Sequence, residues 1–395
     1  MGFPSRLSFH ARHRDGPHRR HDPRKAPSEP RRRGRIVAAG LIWLLAGAAF
    51  AAPLRIATYT VELSRKGPAL LLQAITAGKD AQVAASIAVI ARVNPDVILL
   101  TGFDWDYGQA ALSAYADRLA QAGAVYPYRY APRPNTGMPT GLDLDGDGRL
   151  GGPGDAQGFG AFAGQGGMAI LSRLPVDAAA SRDLSAVLWR DLPGAGFDAA
   201  MPPPGARDIL RLAETGAWDV VLTRPNGRPL HLLAFAASPP LFDGPEDRNG
   251  QRNHDQIAFW QVLLAGRLPM PPPIGPFVLL GDANLDPDDG EGRHEAIRAL
   301  LADPRLTDPA PTSTGAYEAA LLPLNAGHVG DPGRPTVLWD RPGQPGSLRV
   351  DYVLPSADLT VTGAGVFWPA QGEAGAADAT TASRHRLVWV DLDLP

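Results

Sequence analysis

Cysteine is absent from the 395 residues, which excludes disulfides, a thiolate nucleophile and cysteine-ligated metals. Lysine is scarce. Arginine heavily outnumbers it, a bias of composition rather than a sign of chemistry. The marks of disorder are missing from most of the chain: 44% of the residues are hydrophobic, and runs of valine, leucine and isoleucine recur. No internal repeat is visible. The length suffices for one large domain or two ordinary ones.

The first 51 residues are built differently. Arg6 to Arg35 is rich in arginine, proline and histidine and has no apolar period. Ile36 to Ala52 is continuously apolar and small, and Ala49-Phe50-Ala51 stands near its end. A basic segment, a short apolar run and an A-x-A site are the parts of a secretory signal. An uncleaved anchor is the other reading, but the run is short for a membrane span. The expectation is a basic region and signal peptide over 1–51 and a single domain over 52–395. That domain would carry no stable membrane span and would be exported to the periplasm or beyond. "RRRGR" at 31–35 hints at twin-arginine export. Residues 1–51 hold eleven of the 38 basic residues and three of the 41 acidic ones, so 52–395 has 27 against 38, a net charge of −11. Such a domain lacks the electrostatic footprint of a general nucleic-acid binder. Nothing in the sequence specifies an oligomeric state.

Periodicity predicts strands at 54–63, 96–100, 167–175, 218–223, 230–235, 276–282, 347–356, 359–368 and 385–394. It predicts helices near 80–93, 109–120, 253–266 and 291–303. Asn94-Pro95 stops the first helix. Sequential strands with interspersed helices, several strands being continuously apolar, imply an α/β (α+β) chain whose sheets are covered by other layers. The loops at 131–167 and 307–347 are long and rich in proline and glycine, which usually marks function or disorder.

Three strand ends carry polar residues at suggestive positions. Asp282 and Asn284 follow "VLLG" as an i, i+2 pair. Asp351 lies inside "RVDYVLP". His385 begins the last strand between Arg384 and Arg386. An aspartate base, an amide donor and an Asp–His pair are what a scissile phosphate needs. Taken singly, each residue also has a bland reading as a turn, strand-end or surface residue.

"VLLGDANLDP", "LRVDYVLPS" and "SRHRLVWVDL" occur in the order and strand setting of the endonuclease/exonuclease/phosphatase superfamily, which the chain resembles over about 52–395. "LRIATYTVEL", "NPDVILLTGFD" and "HLLAFAASPP" are similar to its other motifs. "NTGMPTGLDLDGDGRLGGPGDAQGFG" and "FDGPEDRNGQRNHDQIAFW" resemble a bacterial exported branch. The resemblance implies a four-layer α/β/β/α sandwich: two packed mixed sheets flanked by helices, with the site at one edge. It also implies hydrolysis of a phosphate ester with Mg²⁺ or Mn²⁺. Asp282 then matches the aspartate that activates water and Asn284 the asparagine that binds phosphate. Asp351 and His385 match the pair in which a carboxylate orients the histidine. Glu62 matches an acidic residue near the metal in some members.

Other positions depart from the family's pattern. Its first-strand asparagine is Thr60, its metal-binding glutamate is Gly102, its central histidine is Ala236, and its aspartate before the last histidine is Arg384. Threonine keeps some hydrogen-bonding capacity at a substrate position. Glycine and alanine keep none. Asp104, two residues beyond Gly102, replaces the lost ligand if the strand continues. Arg384 is positioned to pair with phosphate instead of a metal. Hydrolysis is expected to be impaired, and a non-catalytic phosphate-ligand or surface-binding protein on the same scaffold is the alternative.

Two further sites stand apart. Asp143, Asp145 and Asp147 in "DLDGDG", with Asp155 beyond, open like a Ca²⁺ loop, although no flanking helix is evident. The other reading is an Asp/Gly turn cluster. Asn253 and His254 either reach back into the cleft as substrate contacts or cap the next helix. Asn253 and Asp255 are the candidate caps.

Overall fold

Alternation along β1 (Leu54–Leu63) sets the layering. Ile56 points into one core, while Ala57, Tyr59, Val61 and Leu63 point into another. A strand buried on both faces needs a layer on each side. The computed structural model of the chain, in which residues 53–394 are described, supplies both. The signal region read from 1–51 lies outside the described residues.

The chain continues through α1 (Leu70–Ala77), α2 (Ala81–Val93), β2 (Val97–Phe103), α3 (Ala110–Gln121), β3 (Tyr128–Tyr130), β4 (Gly167–Ser172) and β5 (Val176–Asp183). Next come β6 (Gly216–Thr223), β7 (Pro229–Ala236), α4 (Arg248–Leu264), β8 (Phe277–Asp282), α5 (Glu295–Leu301) and α6 (Thr314–Ala319). The last elements are β9 (Val337–Trp339), β10 (Gly346–Leu348), β11 (Asp351–Pro355), β12 (Thr360–Phe367), α7 (Ala376–Ala382) and β13 (Leu387–Asp393). A six-stranded sheet has the order β12-β13-β1-β2-β4-β3 and a five-stranded sheet the order β11-β8-β7-β6-β5. Both are mixed: β1–β2 and β7–β8 are parallel, and their other pairings are antiparallel.

Ile56, Leu99 and Ile170 meet Trp218, Leu232 and Leu280 in the core between the sheets. Helices α1, α2 and α3 cover the outer face of the larger sheet, and α4 and α5 cover that of the smaller one. The result is the expected α/β/β/α sandwich. Among the described residues no single helix is long and apolar enough to cross a membrane.

Local rules account for the elements the sequence predicts. Asp80 caps α2 by accepting the Val83 N–H at 3.0 Å, and Asn94 ends it in the left-handed region. Two expectations fail. The strand predicted over 347–356 breaks between β10 and β11. There the Arg349 N–H turns to the Asp286 carboxylate at 2.6 Å, and the N–H groups of Val350 and Asp351 turn to the Thr336 hydroxyl at 3.0 Å each. Helix α4 begins at Arg248, so Asn253 and Asp255 lie inside it and cap nothing.

Candidate functional site

The strand pairings bring the polar residues together. Register across β11 and β8 places Asp351 directly opposite Asp282. Register across β8 and β7 places Ala236 beside Asp282. In the other sheet, β1 and β2 set Thr60 beside Thr101. Facing pairs on one face of a sheet are neighbours, and here they meet across the gap between the sheets. The Thr60 hydroxyl donates to Asp351 Oδ1 at 2.7 Å, lies 3.5 Å from Asp282 Oδ2, and accepts the Thr101 hydroxyl at 2.7 Å.

His385, at the entrance to β13, completes the group. Its Nδ1 lies 2.9 Å from Asp351 Oδ2, which also accepts the Thr336 hydroxyl at 2.9 Å. The Trp339 ring stands edge-on to the imidazole, 5.6 Å between centroids. Asp282, Asp351 and His385 are only 4%, 1% and 4% exposed. Charges so enclosed reshape each other's titration. Burial, then the Asp351 charge, pushes the Asp282 carboxyl up to about 7. Burial opposes the His385 cation, but the Asp351 carboxylate outweighs it and raises the imidazole to about 9.

Asn284 follows in a left-handed conformation, φ 49°. Its backbone N–H donates to Asp282 Oδ1 at 2.8 Å. Its amide donates to Asp282 Oδ2 at 3.1 Å and to the Ala237 carbonyl at 2.9 Å. The amide expected to meet a phosphate is therefore committed to holding Asp282.

Arg384 departs from expectation. Its guanidinium is bound to Glu62 through Nε, 2.8 Å from Oε1, and through a terminal nitrogen, and its backbone N–H donates to Oε2 at 2.7 Å. The Ser383 hydroxyl lies 2.9 Å from the same Oε2. Burial opposes the Glu62 charge, but the Arg384 hydrogen bonds together with the His385 and Arg384 charges outweigh it and hold the carboxyl below its usual range. Arg384 thus closes over the carboxylate expected to hold a metal, rather than standing free for a phosphate. Arg386 is buried and donates to the backbone carbonyls of Ala379, Ser383, Arg384 and His385, so it braces the histidine's turn.

Asp104 does not replace Gly102. Register shifts at the end of β2, where Gly102 adopts φ 67°, and strict alternation ends there. Asp104 accepts the N–H of Arg65 and of Gly166 at 2.8 Å each, pinning two loops. Asn253 is not a substrate contact either: fully buried, it donates to the carbonyls of Ser238 and Ala283 at 2.7 and 2.8 Å. His254 turns to Asp255, 2.9 Å away, not to the cluster.

Asp282, Asp351 and His385 offer ligand atoms within 4.8 Å of one another, and the set could hold a metal ion. Three donors are half of what Mg²⁺ or Mn²⁺ takes, and Glu62 is engaged elsewhere. Asp143, Asp145 and Asp147 form a second such set. Asp155 is not part of it, because its carboxylate is spent on the N–H groups of Leu144 and Gly152 at 2.7 and 3.0 Å.

Sequence reasoning missed Thr101, Thr336, Trp339 and Ser383. Thr336 and Trp339 come from the long loop before β10, where no periodic signal marks them.

No curated protein matches the chain. The fold resembles an endonuclease/exonuclease/phosphatase from Beutenbergia cavernae DSM 12333, at 18% identity over 87% of this chain and 72% of that one, TM-score 0.50. It also resembles a family protein from Leptotrichia buccalis C-1013-b (13% identity, 86% and 100% of the chains, TM-score 0.47). A third is sphingomyelinase C from Streptomyces griseocarneus (17%, 86% and 99%, 0.44). The Endonuclease/Exonuclease/phosphatase family model matches residues 73–385, most of the chain, and the protein belongs to that family.

Proposed function

We propose that the protein is an exported hydrolase that cleaves a phosphodiester or phosphomonoester slowly, at the junction of the two sheets. One observation carries this reading: Asp282, Thr60, Asp351 and His385 form a continuous buried hydrogen-bonded group although they come from four separate strand ends. A carboxyl at about 7 is poised to accept a proton from water at neutral pH. Water oxygen bonds to phosphorus, its proton passes to Asp282, the bond from phosphorus to the alcohol oxygen breaks, and the leaving oxygen takes a proton from solvent to depart as the alcohol. Asp351 holds His385 protonated, and Nε2, which has no partner among the described residues, donates to a phosphoryl oxygen. A divalent ion on the Asp282 and Asp351 carboxylates would add Lewis-acid stabilisation of the phosphoryl charge while His385 stays the donor.

The rate is low in this reading because Gly102 and Ala236 bring no polar side chain and Arg384 occupies Glu62. The Arg384–Glu62 pair also favours a second reading, a phosphate-binding protein without turnover. Hydrolysis of bis-(p-nitrophenyl) phosphate with Mn²⁺ separates the two. Turnover that falls at least about a hundredfold in His385→Ala supports the hydrolase. Equal background rates in both proteins refute it.

A further inference from the structure

Next to the cluster, and outside it, lies a polar cavity of about 200 Å³. Its walls come from the segment after Asn284, the loop before Thr336 and the residues that lead into Asp351. Asp286, Asp288, Asp289, Arg334 and Ser347 are among the residues that line it.

The charges do not cancel. Of the two arginines that line the cavity, Arg334 faces Asp331 at 3.2 Å and Arg349 is paired with Asp308 at 2.5 Å. Among the described residues no ion pair is made by Asp286, Asp288 or Asp289, although the Arg349 charge acts on Asp286. Two of them are turned partly to backbone. Asp286 accepts the N–H groups of Asp288, Asp289 and Arg349, and Asp289 accepts those of Val329 and Gly330. Asp288 has no side-chain partner among the described residues. Ser347 lines the same space at 3% exposure, and its hydroxyl also has no hydrogen-bond partner among the described residues. That hydroxyl is not one of the fully enclosed unpartnered atoms, so it is free to bond to a ligand in the cavity.

We propose that this cavity binds a primary ammonium group, through Asp288 and Ser347 with the negative field of Asp286 and Asp289 behind them. A hard metal ion fits less well. Among the described residues, the sets of three acidic or imidazole atoms close enough to share an ion are Asp282–Asp351–His385 and Asp143–Asp145–Asp147, and the cavity holds neither. A quaternary ammonium fits less well too. Such groups are held by aromatic faces, and the cavity is lined by no Phe, Tyr or Trp. An ammonium offers three N–H donors, which suit carboxylate and hydroxyl acceptors.

The binding claim stands apart from the hydrolytic reading, and only the assignment of the ammonium to the substrate rests on it. The test is calorimetric titration of the purified protein with ethylammonium, and with tetramethylammonium at equal ionic strength. Saturable binding of ethylammonium alone is expected. Ser347→Ala should weaken it about fivefold, as for one lost hydrogen bond. Asp288→Asn should weaken it about threefold, as for an exposed ionic contact. Neither residue supports the fold through a side-chain bond, so both variants should melt like the parent. His385→Ala should lose hydrolysis and keep ethylammonium binding, which separates failure of this proposal from failure of the hydrolytic one. Tighter binding of 2-aminoethyl phosphate than of ethylammonium assigns the ammonium to the ester. Equal binding assigns it to a free amine. Equal response to both ammonium ions, Ca²⁺ binding that excludes ethylammonium, or affinity unchanged in both variants overturns the proposal.

Discussion

Replacing Asp282 with asparagine should make the protein more stable at pH 8 and leave it nearly unchanged at pH 4. The carboxyl is 4% exposed and faces Asp351 across the β8–β11 pair. Burial and that neighbouring charge raise it from an ordinary 3.8 to about 7. In the pH interval between those values the folded chain keeps a proton that the unfolded chain has lost. Folded stability therefore declines as pH rises through this interval and is flat above it. At about 1.4 kcal/mol per pH unit, the full cost approaches 4 kcal/mol as an upper bound. The opposing effect of the His385 cation is already contained in that value. Asparagine carries no charge to bury and can still accept the Asn284 N–H, although its own amide would face the Asn284 amide, at a cost of about 1 kcal/mol. A net gain of at most about 3 kcal/mol at pH 8 follows.

Urea denaturation with chelator present, at steps from pH 4 to pH 8, measures the gap between the two proteins. The gap should open mainly between pH 4 and pH 7. Mn²⁺ should narrow it at pH 8 by stabilising the parent. A variant less stable than the parent at pH 8, or a gap that does not change with pH, would refute the claim of an uncompensated carboxylate.

Three further outcomes are expected. Arg384→Ala should cost less than about 1 kcal/mol, since the pair with Glu62 is partly exposed, and should raise Mn²⁺ affinity severalfold by calorimetry; an unchanged affinity would show that Glu62 was never withheld. Gly102→Glu should fail as a repair, because the residue has φ 67° and a Cβ there would lie 3.3 Å from the Glu62 backbone nitrogen; a loss of about 1–3 kcal/mol in denaturation, with no gain in metal binding, is the expected result. Arg349→Met should cost about 3 kcal/mol by leaving Asp308 unpaired; burial opposes the Asp308 charge but Arg349 lowers its pKa, so the loss should be full above pH 3.8 and shrink as pH falls below it.

The strands that carry the cluster were legible because each is an apolar run buried on both faces, with a polar residue at one end. β8 runs from Phe277 to Asp282 without an exposed residue, and β11 and β13 begin beside Asp351 and His385. What pattern could not show was the partner of each polar group. Glu62 and Arg384 are 322 residues apart, and only the antiparallel β1–β13 pairing brings them together. The reading of Asp104 assumed an unbroken strand, and the irregularity at Gly102 defeated it. The start of α4 was hidden because its buried face is polar: Gln251, Arg252, Asn253, Asp255 and Gln256 are all enclosed and leave no apolar stripe to count. Thr336 gave no signal at all, yet its hydroxyl both accepts the N–H of Asp351 and donates to its side chain.

Thr60 and Gly102 lie in the six-stranded sheet and Arg384 beside its β13, whereas Asp282 and Asp351 lie in the five-stranded sheet, with Asn284 just beyond β8. On the six-stranded side Arg384 neutralises Glu62, and Thr60 donates to Asp351. The five-stranded side keeps two facing carboxylates with His385 as their cation. An added divalent ion would therefore find one carboxylate already matched by a guanidinium and another by an imidazolium, leaving chiefly Asp282 to reward its binding. Electrostatic attraction scales with the charge left uncompensated, so the arrangement favours weak metal binding whose strength rises as Asp282 loses its proton near pH 7.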